Sequence, residues 1–494
     1  MTEKSLSIRA GVSMWLLVLT LSTTLVASGC GGGSTTEPDR GAVQPVAPLI
    51  RIQDSRTFSP PVEDSLAPLD DSFANTDRWV GILDGAAYRI EVPQQWNGVL
   101  VMWVRGYWNG YSLYIENPLI RRHLLAKGYA WAASSYTRNL YDVNAGIEDT
   151  NKLAAAFRNI ATARGRPLPA PRRIFIAGMS MGGHIASAAV ESEVVRDALN
   201  PLRYDGALSL CGTVADIDWY NYLAAYQMAM QQVLGYSAEA YPSQTYAQNK
   251  PAMQSLLADA VARRDLSMPS VARLYAVMEQ LSGGKRPFYF DGWMDPYHHN
   301  ILFQLMNGAP TLDGILALKA VDTRNVQYRF SNETILNAET QRFNDTIARI
   351  APDSIANPLQ SRGLRWVPFV AGQLTAPVMV LHTIGDLTVP ISTQIRYKQR
   401  TTGQGNGAKL TQRLIRDVGH CSFTLAEVTT AFDDLVTWAE QGQKPQGDEL
   451  LDARLWDRVD VGCAHTNNTP SVGDRADLPQ RTRIQATYPA CPAR

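Results

Sequence analysis

The sequence predicts an α/β fold: a mainly parallel sheet with helices on both faces and a large, mostly helical insertion. Three observations lead there. Runs such as Val99-Leu100-Val101-Met102-Trp103-Val104, Ile174-Phe175-Ile176-Ala177 and Val378-Met379-Val380-Leu381 are continuously apolar, the pattern of strands buried on both faces. Helical patterns separate these runs, and alternation of strand and helix gives parallel pairing with the crossovers on the faces. Between Cys211 and Pro377 there is far more chain than one crossover needs. At 494 residues and 45% hydrophobic content, the chain is long enough to bury such a core, and length alone allows two or three domains.

In chain order, residues 1–29 read as a signal peptide. Lys4 and Arg9 precede an apolar stretch, Val12 to Val26, too short for a membrane span, and the small residues Ala27-Ser28-Gly29 lead to Cys30. Gly31 to Thr36 reads as a flexible tether, and residues 30–68 as a linker. The first half of the core, 69–216, opens with strands at Trp79–Leu83 and Ala87–Val92 and the third strand at Val99–Val104. A helix from about Ile115 to Lys127, a strand at Tyr129–Ser134 and a helix around Asn151–Ala163 follow, then the strand ending at Gly178 and another at Gly206–Leu210.

The insertion spans 217–366. Leu223, Tyr226 and Met230, then Val271, Leu274, Val277, Met278 and Leu281, recur at helical spacing. As a cap over a site it would exclude water and shape a pocket. Its aromatics Phe288, Phe290 and Trp293 have two readings, the lining of an apolar or aryl site or the insertion's own core. The second half of the core, 367–445, holds strands at Pro377–His382 and Leu410–Ile415 and a helix marked by Phe423, Val428, Phe432, Leu435 and Trp438. Residues 446–494 form a tail.

Chemistry concentrates at the ends of these strands. In Gly178-Met179-Ser180-Met181-Gly182 an apolar strand stops and the small-residue helix Ile185-Ala186-Ser187-Ala188-Ala189-Val190 begins. A Gly-rich loop holding a serine is commonly only a turn. Here the strand before it and the helix after it lift the serine above the sheet and aim free helix N–H groups at whatever it attacks. A serine hydroxyl near neutral pH needs a base in reach and a third group to orient that base. Asp386 lies just past the strand at 377–382, in Gly385-Asp386-x-x-Val389-Pro390, and His420 lies on the loop after the strand at 410–415. Asp386 also reads as a turn or N-cap residue, and Asp417 is its rival for the acid.

The other histidines do not form a site. His123, His184, His382 and His465 read as structural or exposed. His298 and His299 are adjacent, so they cannot easily share one ion, and no spaced third ligand follows; neither a metal nor a cofactor is expected.

The order serine, acid, histidine from successive strand ends resembles the α/β-hydrolase superfamily. That resemblance implies Ser180 as nucleophile, Asp386 as acid and His420 as general base. It implies an oxyanion hole from the backbone N–H of Met181 and one from the turn after the third strand, at Tyr107 or Gly106. The family's usual His-Gly-x there reads Arg105-Gly106-Tyr107, so Arg105 stands where the family has His. The N-terminus resembles a bacterial lipoprotein signal. Cys30 would then be the lipidated first residue of the mature chain, anchored in the cell envelope, and Gly31 after it points to the outer membrane in a Gram-negative source. The alternative is plain secretion with cleavage near Ala27.

Export leaves Cys211, Cys421, Cys463 and Cys491 in an oxidising compartment, where three pairings are open. The expected set is Cys463 with Cys491, tying down the tail, and Cys211 with Cys421, holding the histidine loop. Tannase and feruloyl-esterase relatives show a similar His-Cys pair, but there the partner cysteine directly precedes the nucleophile, where this chain has Met179. Their phenolic substrates therefore do not carry over.

Lys+Arg and Asp+Glu both number 46, so no field favours nucleic acid. The expected function is hydrolysis of a small-molecule or polymeric carboxylic ester through an acyl-enzyme. The alternatives are a serine peptidase or amidase of the same fold, or a non-catalytic surface-anchored binding protein.

Overall fold

The apolar runs assemble into an eight-stranded sheet in the order β1-β2-β4-β3-β5-β6-β7-β8. The strands are β1 (Asp77–Leu83), β2 (Ala86–Val92), β3 (Val99–Val104), β4 (Ala130–Ser134), β5 (Arg173–Met179), β6 (Gly206–Leu210), β7 (Val378–Thr383) and β8 (Leu410–Ile415). β2 runs antiparallel to β1 and β4, and every other pair is parallel. The computed structural model describes residues 58–60, 65–236, 244–306, 320–331, 335–352, 357–469 and 479–491. The signal peptide, Cys30 and most of the linker lie outside the described residues. The β1–β2 hairpin closes on Asp84-Gly85, both with positive φ (47° and 88°), the two-residue turn that matches strand twist.

Two predicted helices shift. The helix expected from Ile115 begins instead at Arg121, as α1 (Arg121–Ala126). Pro118 accounts for this, because the residue before a proline is driven out of the helical region, and the Pro118 carbonyl accepts the Arg121 N–H at 3.0 Å. The helix expected near Asn151 is longer, α2 (Val143–Ala163), because Asp142 caps it by accepting from the Ala145 N–H at 2.8 Å. Next come α3 (Met181–Ala189) and α4 (Ser192–Asp197).

Between β6 and β7 lie α5 (Ile217–Val233), α6 (Gln244–Arg263), α7 (Pro269–Leu281), α8 (Tyr289–Trp293), α9 (Pro296–Leu305) and α10 (Ala338–Thr346). The chain ends through α11 (Ile391–Gly403), α12 (Leu425–Gln441) and α13 (Pro479–Thr487). No helix of the described residues is long and apolar enough to cross a membrane.

Alternation along β3 shows how the sheet is covered. Leu100, Met102 and Val104 pack with α2, α3 and the insertion, while Val99, Val101 and Trp103 pack with α12 residues such as Phe432 and Leu435. The insertion is stapled to the sheet's active end: Trp219 Nε1 donates to the Thr388 carbonyl and the Tyr222 hydroxyl to the Leu387 carbonyl, each at 2.9 Å. Of the insertion's aromatics, Phe288 stacks on Tyr488 of the tail and Trp293 on Tyr275 and His299. They are packed interior.

Candidate active site

β5 delivers Ser180 with φ 57° and ψ −119°, a conformation an L residue holds only when its surroundings impose it, at about 1–3 kcal/mol of strain. The surroundings here are the end of β3. A Cβ on Gly178 would sit 2.3 Å from the Val104 carbonyl oxygen, and one on Gly182 2.1 Å from the same atom. Glycine on both sides of the serine is thus what lets the turn close against β3. The Ser180 N–H is anchored at 2.9 Å on the Leu210 carbonyl of β6.

The acid and the histidine arrive from β7 and β8. His420 Nε2 is 2.9 Å from Ser180 Oγ, and His420 Nδ1 is 2.7 Å from Asp386 Oδ2. With Nδ1 carrying the hydrogen that the carboxylate accepts, Nε2 presents a lone pair to the serine hydroxyl. Asp386 is fully buried, and its Oδ1 accepts the N–H groups of Thr388 (2.9 Å) and Val389 (3.1 Å). Burial pushes its carboxyl up, but the charge and hydrogen bond of His420 outweigh that and hold it below the ordinary carboxylate range. Asp386 therefore combines both readings made from the sequence, as turn acceptor and as the partner of His420.

Asp417, the rival acid, serves the histidine loop instead. It accepts the N–H groups of Val418 and Gly419, the Ser422 hydroxyl and, at 3.0 Å, Arg481 Nε of α13. The loop is also pinned by Thr383 Oγ1 donating to the Gly419 carbonyl at 2.9 Å and by a disulfide between Cys421 and Cys211, Cα atoms 5.2 Å apart. A second disulfide joins Cys463 and Cys491 in the tail. Reducing the Cys211–Cys421 bridge, or replacing both residues with serine, is expected to lower the melting temperature and the reactivity of Ser180 together, since it closes a long loop and adjoins His420. Differential scanning fluorimetry and assay of the double variant check this; unchanged rate and melting temperature would refute it.

The turn after β3 brings Gly106 and Tyr107 to the serine. A Cβ on Gly106 would lie 3.4 Å from the Met179 carbonyl oxygen and 3.6 Å from Ser180 Cβ, so this backbone rests against the elbow. Arg105 explains how the turn keeps its shape. Its buried guanidinium donates to the carbonyls of Gly106, Ser135 and Arg138 and to Asn139 Oδ1, and stacks 4.5 Å from the Tyr136 ring. The sequence marked Arg105 only as a departure; its five donors in a rigid fork make it the brace of the loop.

A cleft of about 260 Å³ opens at Ser180 and His420, walled by Tyr107, Tyr141, Trp219, Tyr297, Ile301, Leu305 and Val389, with Glu116 on its edge. Trp219, Tyr297, Ile301 and Leu305, not Phe288, Phe290 or Trp293, are what the insertion contributes to these walls, and nothing short-range in the sequence singled those four out. A larger cavity, about 680 Å³, lies away from the serine between α5, α7 and α11.

The remaining histidines are placed as follows. His123 pairs with Asp433 at 2.7 Å, and His184, His299 and His382 are buried, which pushes each down to about 4. His298 lies beside Asp386, a neighbour the sequence gave no sign of. Among the described residues one group of ligand atoms gathers closely enough for an ion: Cys211, His420 and Cys421. The two sulfurs are bonded to each other and both ring nitrogens of His420 are engaged, so the set offers no ligands.

No protein-family model matches the sequence, and no curated protein does. Solved structures do. The feruloyl esterase B of Aspergillus oryzae matches at 12% identity and a TM-score of 0.42, over 79% of this chain and 86% of that one. Esterase 2 of Thermogutta terrifontis matches at 14% and 0.34, over 75% and 97%. An acylaminoacyl peptidase of Pyrococcus horikoshii matches at 10% and 0.34, over 76% of this chain; the chain spans 43% of that peptidase's length. The strand order, the antiparallel second strand and the delivery of serine, acid and histidine from β5, β7 and β8 are those of the α/β-hydrolase fold.

Proposed function

We propose that the protein is an exported serine hydrolase that cleaves carboxylic esters. The observation that carries this reading is the unbroken line from Asp386 through His420 to Ser180, 2.7 and 2.9 Å, at the floor of a cleft. In it His420 Nε2 takes the proton of Ser180 as Oγ attacks the ester carbonyl. Asp386 keeps the ring oriented and balances its charge, and the N–H groups of Met181 and of Gly106 or Tyr107 receive the oxyanion. His420 then returns the proton to the leaving alcohol. In the second half it takes a proton from water, which attacks the acyl-enzyme, and gives it back to Ser180.

Esters are favoured over peptides by the cleft itself. Its size, about 260 Å³, suits one acyl or aryl group, and its walls are mostly apolar and aromatic rather than lined with donors for an extended peptide backbone. Anchoring through a lipid on Cys30 is part of the proposal and rests on the residues around it.

The test is hydrolysis of p-nitrophenyl esters from acetate to long acyl chains by the soluble form beginning after Cys30, alongside fluorophosphonate labelling. Turnover with a preference for short or aryl acyl groups is expected. Labelling with turnover of peptides alone would move the assignment to a peptidase, and neither labelling nor turnover would favour a binding protein.

A further inference from the structure

The acid has a second imidazole at its back. His298 sits on α9, fully buried, with Nδ1 2.8 Å from the Gly292 carbonyl and Nε2 3.7 Å from Asp386 Oδ1. At that distance the carboxylate is in ion-pair range but not hydrogen-bonded, and Nε2 has no hydrogen-bond partner among the described residues. The surrounding backbone leaves little play: a Cβ on Gly292 would meet the Gly385 carbonyl oxygen at 2.1 Å, and one on Gly385 would meet the Phe288 carbonyl oxygen at 2.9 Å. The turn that carries Asp386 is therefore clamped by α8 and its approach. The same α9 walls the cleft with Tyr297, Ile301 and Leu305, each one helical turn from the last.

Two acceptors flank the His298 ring, a carbonyl at Nδ1 and a carboxylate at Nε2. A carbonyl only accepts, so Nδ1 carries a hydrogen, and Nε2 is the ring atom turned toward the carboxylate. We infer that His298 is a positioning residue of the reaction: it holds Asp386 Oδ1 from the insertion side, so that the orientation of the acid, and with it the ring of His420, depends on the seating of α9. The inference rests on the reading of Ser180, His420 and Asp386 as a working triad. It also ties the cleft to the acid, because whatever fills the space beside Tyr297 and Ile301 bears on the helix that carries His298.

Other titratable groups packed around Asp386 are His382 of β7, Arg286 ahead of α8 and Tyr222 of α5. Burial pushes His382 down to about 4, the Tyr222 hydroxyl far up and the Arg286 guanidinium below its usual value. His299 beside His298 is likewise pushed down to about 4.

Two substitutions separate positioning from packing. In His298→Asn the amide nitrogen keeps the reach of Nδ1 toward Gly292 but loses the reach to Asp386; in His298→Gln the amide extends to where Nε2 stands. His298→Asn is expected to lower kcat on p-nitrophenyl acetate about tenfold with KM within about twofold, as loss of positioning of the acid rather than of binding. The acid limb of kcat/KM should shift as well, because the carboxylate that orients His420 is then less well held, and His298→Gln should restore most of both. Wild-type kcat and pH profile in His298→Asn would overturn the inference. So would an equal loss in both variants together with a lowered melting temperature, which marks packing alone. A second readout needs no turnover: the low-field proton resonance of His420 Nδ1–H, assigned by its loss in His420→Ala, should shift in His298→Asn. If the wild-type protein neither hydrolyses esters nor labels, the triad reading fails, and an unshifted resonance separately removes the role of His298.

Discussion

Ser180→Ala is expected to abolish ester turnover, with kcat falling on the order of a million-fold, while the protein stays folded. The size follows from the arrangement. His420 and Asp386 act only through the serine oxygen 2.9 Å from Nε2, so removing that oxygen removes the whole unit and leaves only what the oxyanion donors and the cleft contribute. The fold should tolerate the change because the shape of the elbow comes from Gly178 and Gly182 against Val104 and from the Ser180 N–H on Leu210, none of which uses the hydroxyl. Steady-state kinetics and circular dichroism on the purified variant are the check. Activity within tenfold of wild type would end the assignment of Ser180 as nucleophile.

Asp386→Asn should be nearly as severe, about ten-thousand-fold in kcat, and for a reason specific to this carboxylate. Oδ1 accepts two backbone N–H groups, from Thr388 and Val389, so the asparagine must keep its carbonyl oxygen there and turn its NH2 toward His420. The ring then has to accept at Nδ1, its hydrogen moves to Nε2, and the base presents a donor to Ser180 instead of a lone pair. Stability should show the pH sign of a carboxyl held below its ordinary range. Its contribution is present above the unfolded carboxylate pKa and is lost as pH falls through the lower, folded value. The melting-temperature gap between wild type and Asp386→Asn should therefore be widest near neutral pH and narrow in acid. A variant with near-normal rate, or a gap that widens in acid, would contradict this account.

Much of the sheet was legible because buried parallel strands announce themselves locally. The run Val99–Val104 needs no distant partner to be read as a strand, nor do 206–210 and 410–415. The serine and histidine were legible for a related reason, since Gly-x-Ser-x-Gly and the loop after the last strand are local patterns. Helix starts were less so. The beginning of α1 is set by Pro118, and that of α2 by Asp142 among residues with no apolar periodicity. What the sequence concealed are contacts between segments far apart in the chain. Arg105 works by gathering carbonyls from Ser135 and Arg138, and His298 reaches Asp386 only because α8 and α9 fold back over the end of β7. The aromatic walls were missed for the same reason: Trp219 and Tyr297 face the serine, while the more conspicuous Phe288 and Trp293 pack inward.

β6 and β7 are direct neighbours in the sheet, yet all of α5 to α10 separates them in the chain. During synthesis, the serine elbow and strands β1 to β6 leave the ribosome well before the strand that pairs with β6. The nascent half-sheet must wait with one edge unpaired while the intervening helices are made. The seat of α5 forms later still, because Trp219 and Tyr222 are held by the carbonyls of Thr388 and Leu387, which follow β7 in the chain. On this order of events the sheet closes first, and the roof of the cleft is fastened to it afterwards.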